Sequence, residues 1–243
     1  MASQFDHHIT IFSPQGHLYQ MEYALKAANG GTNTAVAVKG AKTSVVITQK
    51  KVPDRLVDAS YLTSIYRITD TIGCLLVGLQ PDIRAQVSRI RYEANDFKFN
   101  NGYAMPAHVL AKRIADLNQV HSQEASQRTL ACMILMIGAD DEKQAQVFKV
   151  DPAGSFMPYK AVSTGKAEQE AMNFLEKKVA EFPTMDEECT VEMAISAMQH
   201  VLATDFKSSE IEIGVISVGG KFRTLKEDEI EARLAAIQVK LEA

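Results

Sequence analysis

The chain has 243 residues, 46% hydrophobic and 23% charged, with no low-complexity tract, which is enough to bury one large core and too apolar for intrinsic disorder. Thirteen Gly and seven Pro exclude a collagenous or linker-dominated chain, and no apolar run reaches the ~18 residues that a bilayer-spanning helix needs. Twenty-six Lys and Arg against thirty Asp and Glu leave a net charge of −4, without the cationic surplus that neutralises phosphate, so neither membrane nor nucleic acid is an expected partner.

In chain order, Met1 to Asp6 lacks a basic segment followed by an apolar one, so no secretory leader is expected and the location reads as cytoplasm or nucleus. Ser13-Pro14-Gln15-Gly16 has the residues a tight turn prefers, and it delivers the chain into an apolar stripe at Leu18, Met21, Leu25 and Ala28. The spacing predicts a tail over 1–12 and a helix over 17–29. Val- and Ile-rich runs predict strands at Thr34 to Lys39, Ser44 to Gln49 and Ile72 to Val77. Two helices follow. One carries Ile83, Val87, Ile90, Ala94 and Phe97 after Pro81 and Asp82, and the other carries Leu110, Ile114, Leu117 and His121 after Pro106. Leu130 to Ile137 is apolar on both faces, the mark of a strand covered on both sides, and Gln146 to Val150 pairs with it. A second helix pair carries Met172, Leu175, Val179 and Phe182, then Val191, Ile195, Met198 and Leu202, with Pro183 between. Strands at Glu210 to Val218 and Lys221 to Leu225 precede a last helix with Ile230, Leu234, Ile237 and Leu241, opened by Glu227, Asp228 and Glu229.

The connections Gly40-Ala41-Lys42, Asp140-Asp141-Glu142 and Gly219-Gly220 are short enough for antiparallel hairpins. Strand pairs alternating with helix pairs exclude a doubly wound parallel sheet. They predict an α+β fold, a four-layer αββα sandwich with an extra N-terminal helix, as one domain over 1–243.

Few residues offer chemistry. Cys74, Cys132 and Cys189 sit far apart in apolar periodic segments and read as reduced core residues. His7, His8 and His17 have no metal-ligand spacing, with only Asp6 and Glu22 nearby, so neither metal nor cofactor is expected. His121 reads as a satisfied helix-end histidine, the ten methionines as core filling, and Arg84, Arg89 and Arg91 as surface or contact charges. Gly165 to Glu192 holds eight acids against three lysines and reads as a solvated helix face.

Phe5 to Ala24, FDHHITIFSPQGHLYQMEYA, resembles the N-terminal signature of proteasome alpha subunits. The resemblance continues through KKVPDRL from Lys50, KRIADLNQV from Lys112, DPAG from Asp151, FLEKK from Phe174 and FKSSEIEIGV from Phe206, so it covers almost the whole chain. It implies the N-terminal nucleophile hydrolase fold and a place beside six other alpha subunits in a heptameric ring, stacked on the beta-ring subunits. It further implies a non-catalytic role: templating assembly, controlling substrate entry and docking proteasome activators or the regulatory particle. A gating Tyr-Asp-Arg triplet of the family falls on Phe5, Asp6 and His7, with the turn at Pro14, and a lysine of its activator pocket falls near Ser64. Leu18, Met21 and Leu25 are expected to serve ring assembly.

Gly30-Gly31-Thr32 invites the alternative of a threonine-nucleophile peptidase freed by cleavage at Gly31-Thr32. The family's catalytic beta subunits add an acid and a lysine downstream. Here the strand alignment puts Asn33 in the nucleophile's place and Gln49 in the acid's, and no lysine occurs between Lys51 and Lys98. No catalytic residue is expected.

Overall fold

Hairpins form where the short turns allow, and the remaining pairings join β-branched runs far apart in the chain. The computed structural model describes residues 7–30 and 33–242. Within them the chain runs α1 (Tyr19–Asn29), β1 (Ala35–Lys39), β2 (Thr43–Gln49), β3 (Ile65–Arg67), β4 (Ile72–Gly78), α2 (Gln80–Asn101), α3 (Ala107–Gln123), β5 (Cys132–Asp140), β6 (Gln144–Val150), β7 (Phe156–Pro158), β8 (Ala161–Thr164), α4 (Glu168–Lys177), α5 (Glu187–Leu202), β9 (Ile211–Ser217), β10 (Arg223–Thr224) and α6 (Glu227–Glu242). Two five-stranded sheets result, ordered β10-β9-β2-β1-β8 and β3-β4-β5-β6-β7, and every pairing is antiparallel.

The period-2 alternation of each central strand feeds two cores at once. On β5, Leu135 and Ile137 enter the layer between the sheets with Ala37, Val46, Leu75, Val147, Ile216 and Phe222. Their neighbours Ile134 and Met136 face α2 and α3, meeting Ile83, Ile90, Leu110 and Ile114. On the other outer face, Val36, Ile47 and Ile213 meet Leu175 of α4, Ile195 and Met198 of α5, and Ile230 and Ile237 of α6. These are the expected four layers, with α6 joining the second helix pair. Each such large apolar side chain, fully buried, contributes about 1.5–3 kcal/mol.

Several expectations need correction. Strands β3, β7 and β8 have no counterpart in the sequence reading, and β10 is two residues rather than Lys221 to Leu225. Helix α1 begins at Tyr19 rather than at residue 17, because Leu18 has non-helical backbone angles (φ −106°, ψ 86°). Helix α4 stops at Lys177, so Val179 is exposed and Phe182 is buried from a separate 3-10 turn. Cys74 and Cys132 are core residues, but Cys189 is exposed. It lies in the first turn of α5, where its N–H donates to the capping carboxylate of Asp186. His121 is not satisfied: its Nδ1 is buried without a hydrogen-bond partner. The Leu241 side chain lies outside the described part.

The start of α2 is locked to the segment before β5. Asp82 is only 4% exposed, accepts two hydrogen bonds of 2.7 Å from the Arg128 guanidinium, and takes a third from the Ala131 N–H. The Arg128 hydrogen bonds, chiefly, hold the Asp82 carboxyl below the usual carboxylate range against the opposing effect of burial. A depressed carboxyl stabilises the fold above its unfolded value near pH 3.9, and that contribution fades as pH falls through the folded value. Arg128→Ala should therefore cost about 1–2 kcal/mol at pH 7, discounted because Arg128 is largely solvent-exposed. The difference from the parent chain should close in strong acid, as read by urea midpoints across pH. A deficit of constant size at every pH would refute this account.

Candidate functional site

Helix α1 lies against the end of the sandwich where β1 and β9 begin and β4 and β8 finish. The helix meets β4 and β5. Its buried residues are Ala24 and Ala28, small side chains that let the helix backbone approach the strands, while Leu18, Met21 and Leu25 are half-buried around them. The last residue of α1, Asn29, makes a 3.3 Å hydrogen bond through its Oδ1 with the Thr164 hydroxyl of β8.

Beneath the helix the polar groups are matched to one another. Asn33 donates through Nδ2 to the Gln49 carbonyl at 2.9 Å, and the Thr48 hydroxyl donates to the Thr34 carbonyl at 3.1 Å. Thr34 is 1% exposed, and its hydroxyl accepts from the Ala167 N–H. Gly165 has φ +98°, and a Cβ there would stand 2.2 Å from the Asn33 carbonyl oxygen, so the β8–α4 turn closes directly onto the start of β1.

A lysine does reach this region, by a route the spacing argument missed. Lys149 of β6 is two residues from Val147 and so shares its face, the one between the sheets. Its Nζ donates to the Ser163 carbonyl and pairs with the Glu168 carboxylate in the first turn of α4. The ammonium thus ties β6 to β8 and α4. Among the described residues this end presents hydrogen-bonded side chains and a fitted helix, with no activated hydroxyl. Gly31 and Thr32 lie outside the described residues.

The tail positions divide in the same way. Phe5 and Asp6 lie outside the described residues, whereas His7 and Pro14 are both exposed. Pro14 sits in the turn expected from the sequence, closed by a 2.8 Å hydrogen bond from the Gly16 N–H to the Ser13 carbonyl, with Gly16 at φ +86°. Among the described residues no group of His, Cys, Asp and Glu is arranged to hold a metal. No helix among them is long and apolar enough to cross a membrane.

Ser64 precedes β3, and its N–H donates to the Glu212 carboxylate, which also accepts from the Thr63 hydroxyl. Lys50 stands 3.9 Å from the other Glu212 oxygen. Lys50, Thr63 and Glu212 rim a cleft of about 630 Å³ whose apolar lining includes Ile65, Ile213, Phe222 and Ile230, and Ser64 is not part of its lining. The cleft does not admit an added strand at β3. Thr63 Oγ1 serves both the N–H and the carbonyl of Ile65, and the Arg91 guanidinium covers the Arg67 carbonyl.

Comparison with known proteins identifies what this geometry belongs to. The proteasome subunit family matches residues 28–216, and the N-terminal signature of the alpha-type proteasome subunits matches residues 5–27. The alpha type-6 proteasome subunit of Caenorhabditis elegans is 45% identical over 237 residues, covering 97% of this chain and 96% of the relative. The probable alpha type-1 proteasome subunit of Schizosaccharomyces pombe is 47% identical over 241 residues, covering 98% of each. A proteasome alpha subunit of Methanococcus maripaludis is 35% identical over 243 residues, all of this chain and 92% of the relative.

Proposed function

The chain belongs to the proteasome alpha-subunit family, and from that membership we propose that it acts as a structural and gating subunit in the outer ring of the 20S core. Alpha-type subunits are the non-catalytic outer-ring members of that core, so the chain is not itself a peptidase. In this reading it is a single domain over 1–243. It joins six other alpha subunits, stacks on the beta ring, and helps dock activators or the regulatory particle in cytoplasm and nucleus. The FDHHITIFSP start and the ITDTIGC segment from Ile68 favour the alpha type-6 position.

Residues 1–12 serve as the gate tail, with Phe5, Asp6, His7 and the Pro14 turn as its working parts. Leu18, Met21 and Leu25 line the ring contact. The observation that carries the reading is α1 itself, joined ahead of β1 and fitted by Ala24 and Ala28 onto the end of the sandwich. A peptidase freed at Gly31-Thr32 would have to discard that helix.

Intact mass of the chain recovered from assembled particles tests this directly, together with Thr32→Ala. The expected result is a mass that retains the segment before Thr32, and peptidase activities equal to those of the parent particle. A chain beginning at Thr32, or a roughly tenfold loss of any one activity with assembly intact, would restore the threonine-peptidase alternative.

A further inference from the structure

A cleft of about 820 Å³ opens between the α2–α3 connection, the β5–β6 turn and the Gly219-Gly220 turn. It lies where β5 and β9 finish and β4 begins, the end of the sandwich opposite α1. Its walls are fixed by the chain itself. A Cβ on Gly138 would stand 2.5 Å from the Ala107 Cβ, so the start of α3 packs directly on β5. The β5–β6 turn is closed by Asp140, whose carboxylate accepts from the Lys143 N–H at 2.5 Å and from Gln146 Nε2 at 2.7 Å.

The lining carries Asp140, Asp141 and Glu142 and neither lysine nor arginine. Both Asp140 oxygens serve the turn, but Asp141 and Glu142 are exposed, and no ion pair among the described residues includes either. Lys221, next after Gly220, is engaged 3.2 Å from Asp70. The N-terminus of α3, which has no side-chain cap, also opens here, but its partial charge of about +0.5 leaves the two carboxylates in excess. His108, in the same lining, has its Nδ1 buried without a hydrogen-bond partner. Tyr103, 57% exposed and set edge-on to Phe97 at 5.2 Å, adds a fixed aromatic wall.

We infer that this cleft is an assembly contact, receiving a lysine or arginine side chain of a neighbouring proteasome subunit against Tyr103 and the carboxylates of Asp141 and Glu142. The inference rests on the outer-ring reading of the chain. A long basic side chain lays its methylene stem on apolar surface and its charge on carboxylates, and tyrosine and arginine are the residues that recur where protein surfaces meet. The same carboxylates repel a phosphate backbone, and no group among the described residues is arranged to hold a metal ion, which leaves a protein segment as the occupant.

The test uses particles from cells that express the parent chain and a tagged variant together, so that the two compete for one place. Asp141→Lys with Glu142→Lys should enter particles about ten-fold less often than the parent, because like charges then face each other. Asp141→Asn with Glu142→Gln should show a smaller deficit of about two- to three-fold. Both positions are exposed in a turn, so neither pair of changes should alter folding, as read by protease resistance of the unassembled chain. Labelling of carboxylates with a carbodiimide and an amine reads the cleft without any substitution, and it decides the matter should the charge-reversed chain fail to fold. In the intact parent particle Asp141 and Glu142 should label several-fold more slowly than in the same particle unfolded in urea. Equal incorporation of the charge-reversed chain, or labelling of both carboxylates at the unfolded rate in the intact particle, overturns the inference and leaves the ring assignment standing. A parent chain that never enters particles overturns both.

Discussion

Ala28→Asp is expected to abolish incorporation of this chain into particles while the two-sheet core still folds. Ala28 is 0% exposed, in the last turn of an eleven-residue helix that meets β4 and β5. An aspartate there needs room the contact does not have and would bury a carboxylate, a combination that costs several kcal/mol. A helix of this length has little stability of its own in water, so α1 should detach rather than strain the strands. The sandwich keeps its three apolar layers because none of them includes α1.

Leu25→Asp should act in the same direction and more weakly, since Leu25 is only half-buried. The measurement is co-purification with sister subunits, beside the far-UV spectrum and protease resistance of the unassembled chain. Recovery of normal amounts of full particle containing Ala28→Asp would show that α1 docking is dispensable for assembly.

Deleting Met1 to Thr10 is expected to raise basal hydrolysis of long peptides several-fold in the assembled particle, with a smaller rise for tri- and tetrapeptides. Entry limits the first rate, whereas small peptides pass partial gaps. Among the described residues the change removes no fully buried side chain and no strand: His7, His8 and Thr10 are exposed, Ile9 is half-buried, and the turn from Ser13 onward is self-contained. Stability should therefore stay within about 0.5 kcal/mol of the parent. Asp6→Ala should act oppositely and modestly, weakening activator-stimulated opening. The phenyl ring of Phe5 has no hydroxyl, and His7 lacks the fixed charge and two-pronged geometry of arginine, so Asp6 has poorer partners here than Tyr and Arg would be. Unchanged long-peptide rates, with and without an activator at equal particle concentration, would remove this chain's tail from the gate.

The helices and the long strands were legible because their signal is local. An apolar residue every three or four positions marks the buried stripe of α2, α3 and α5 wherever those helices end up, while Pro81 and Pro106 mark where helices open and Pro183 where one cannot continue. The both-faces-apolar run at β5 placed it in the middle of the sandwich for the same reason: Leu135 and Ile137 serve one core, and Ile134 and Met136 the other. The N-terminal signature was equally local, being contiguous from Phe5 to Ala24.

What escaped the sequence reading is set by pairing between distant segments. The three-residue β7 ends in proline, and β3 and β8 are three and four residues long. None has enough alternation to declare itself, and each becomes a strand because a long neighbour offers it hydrogen bonds: β3 along β4, β7 along β6, and β8 along β1, where Ala35 pairs with Thr164. Cys189 looked like a core residue because its segment is apolar and periodic, but its position in the first turn, beside the Asp186 cap, turns it outward. Lys149 carries no local mark at all. Its meeting with Ser163 and Glu168 depends on two sheets stacking and on a crossover bringing β8 to the edge of the other sheet, and side-chain periodicity in one segment contains nothing about which segment will face it.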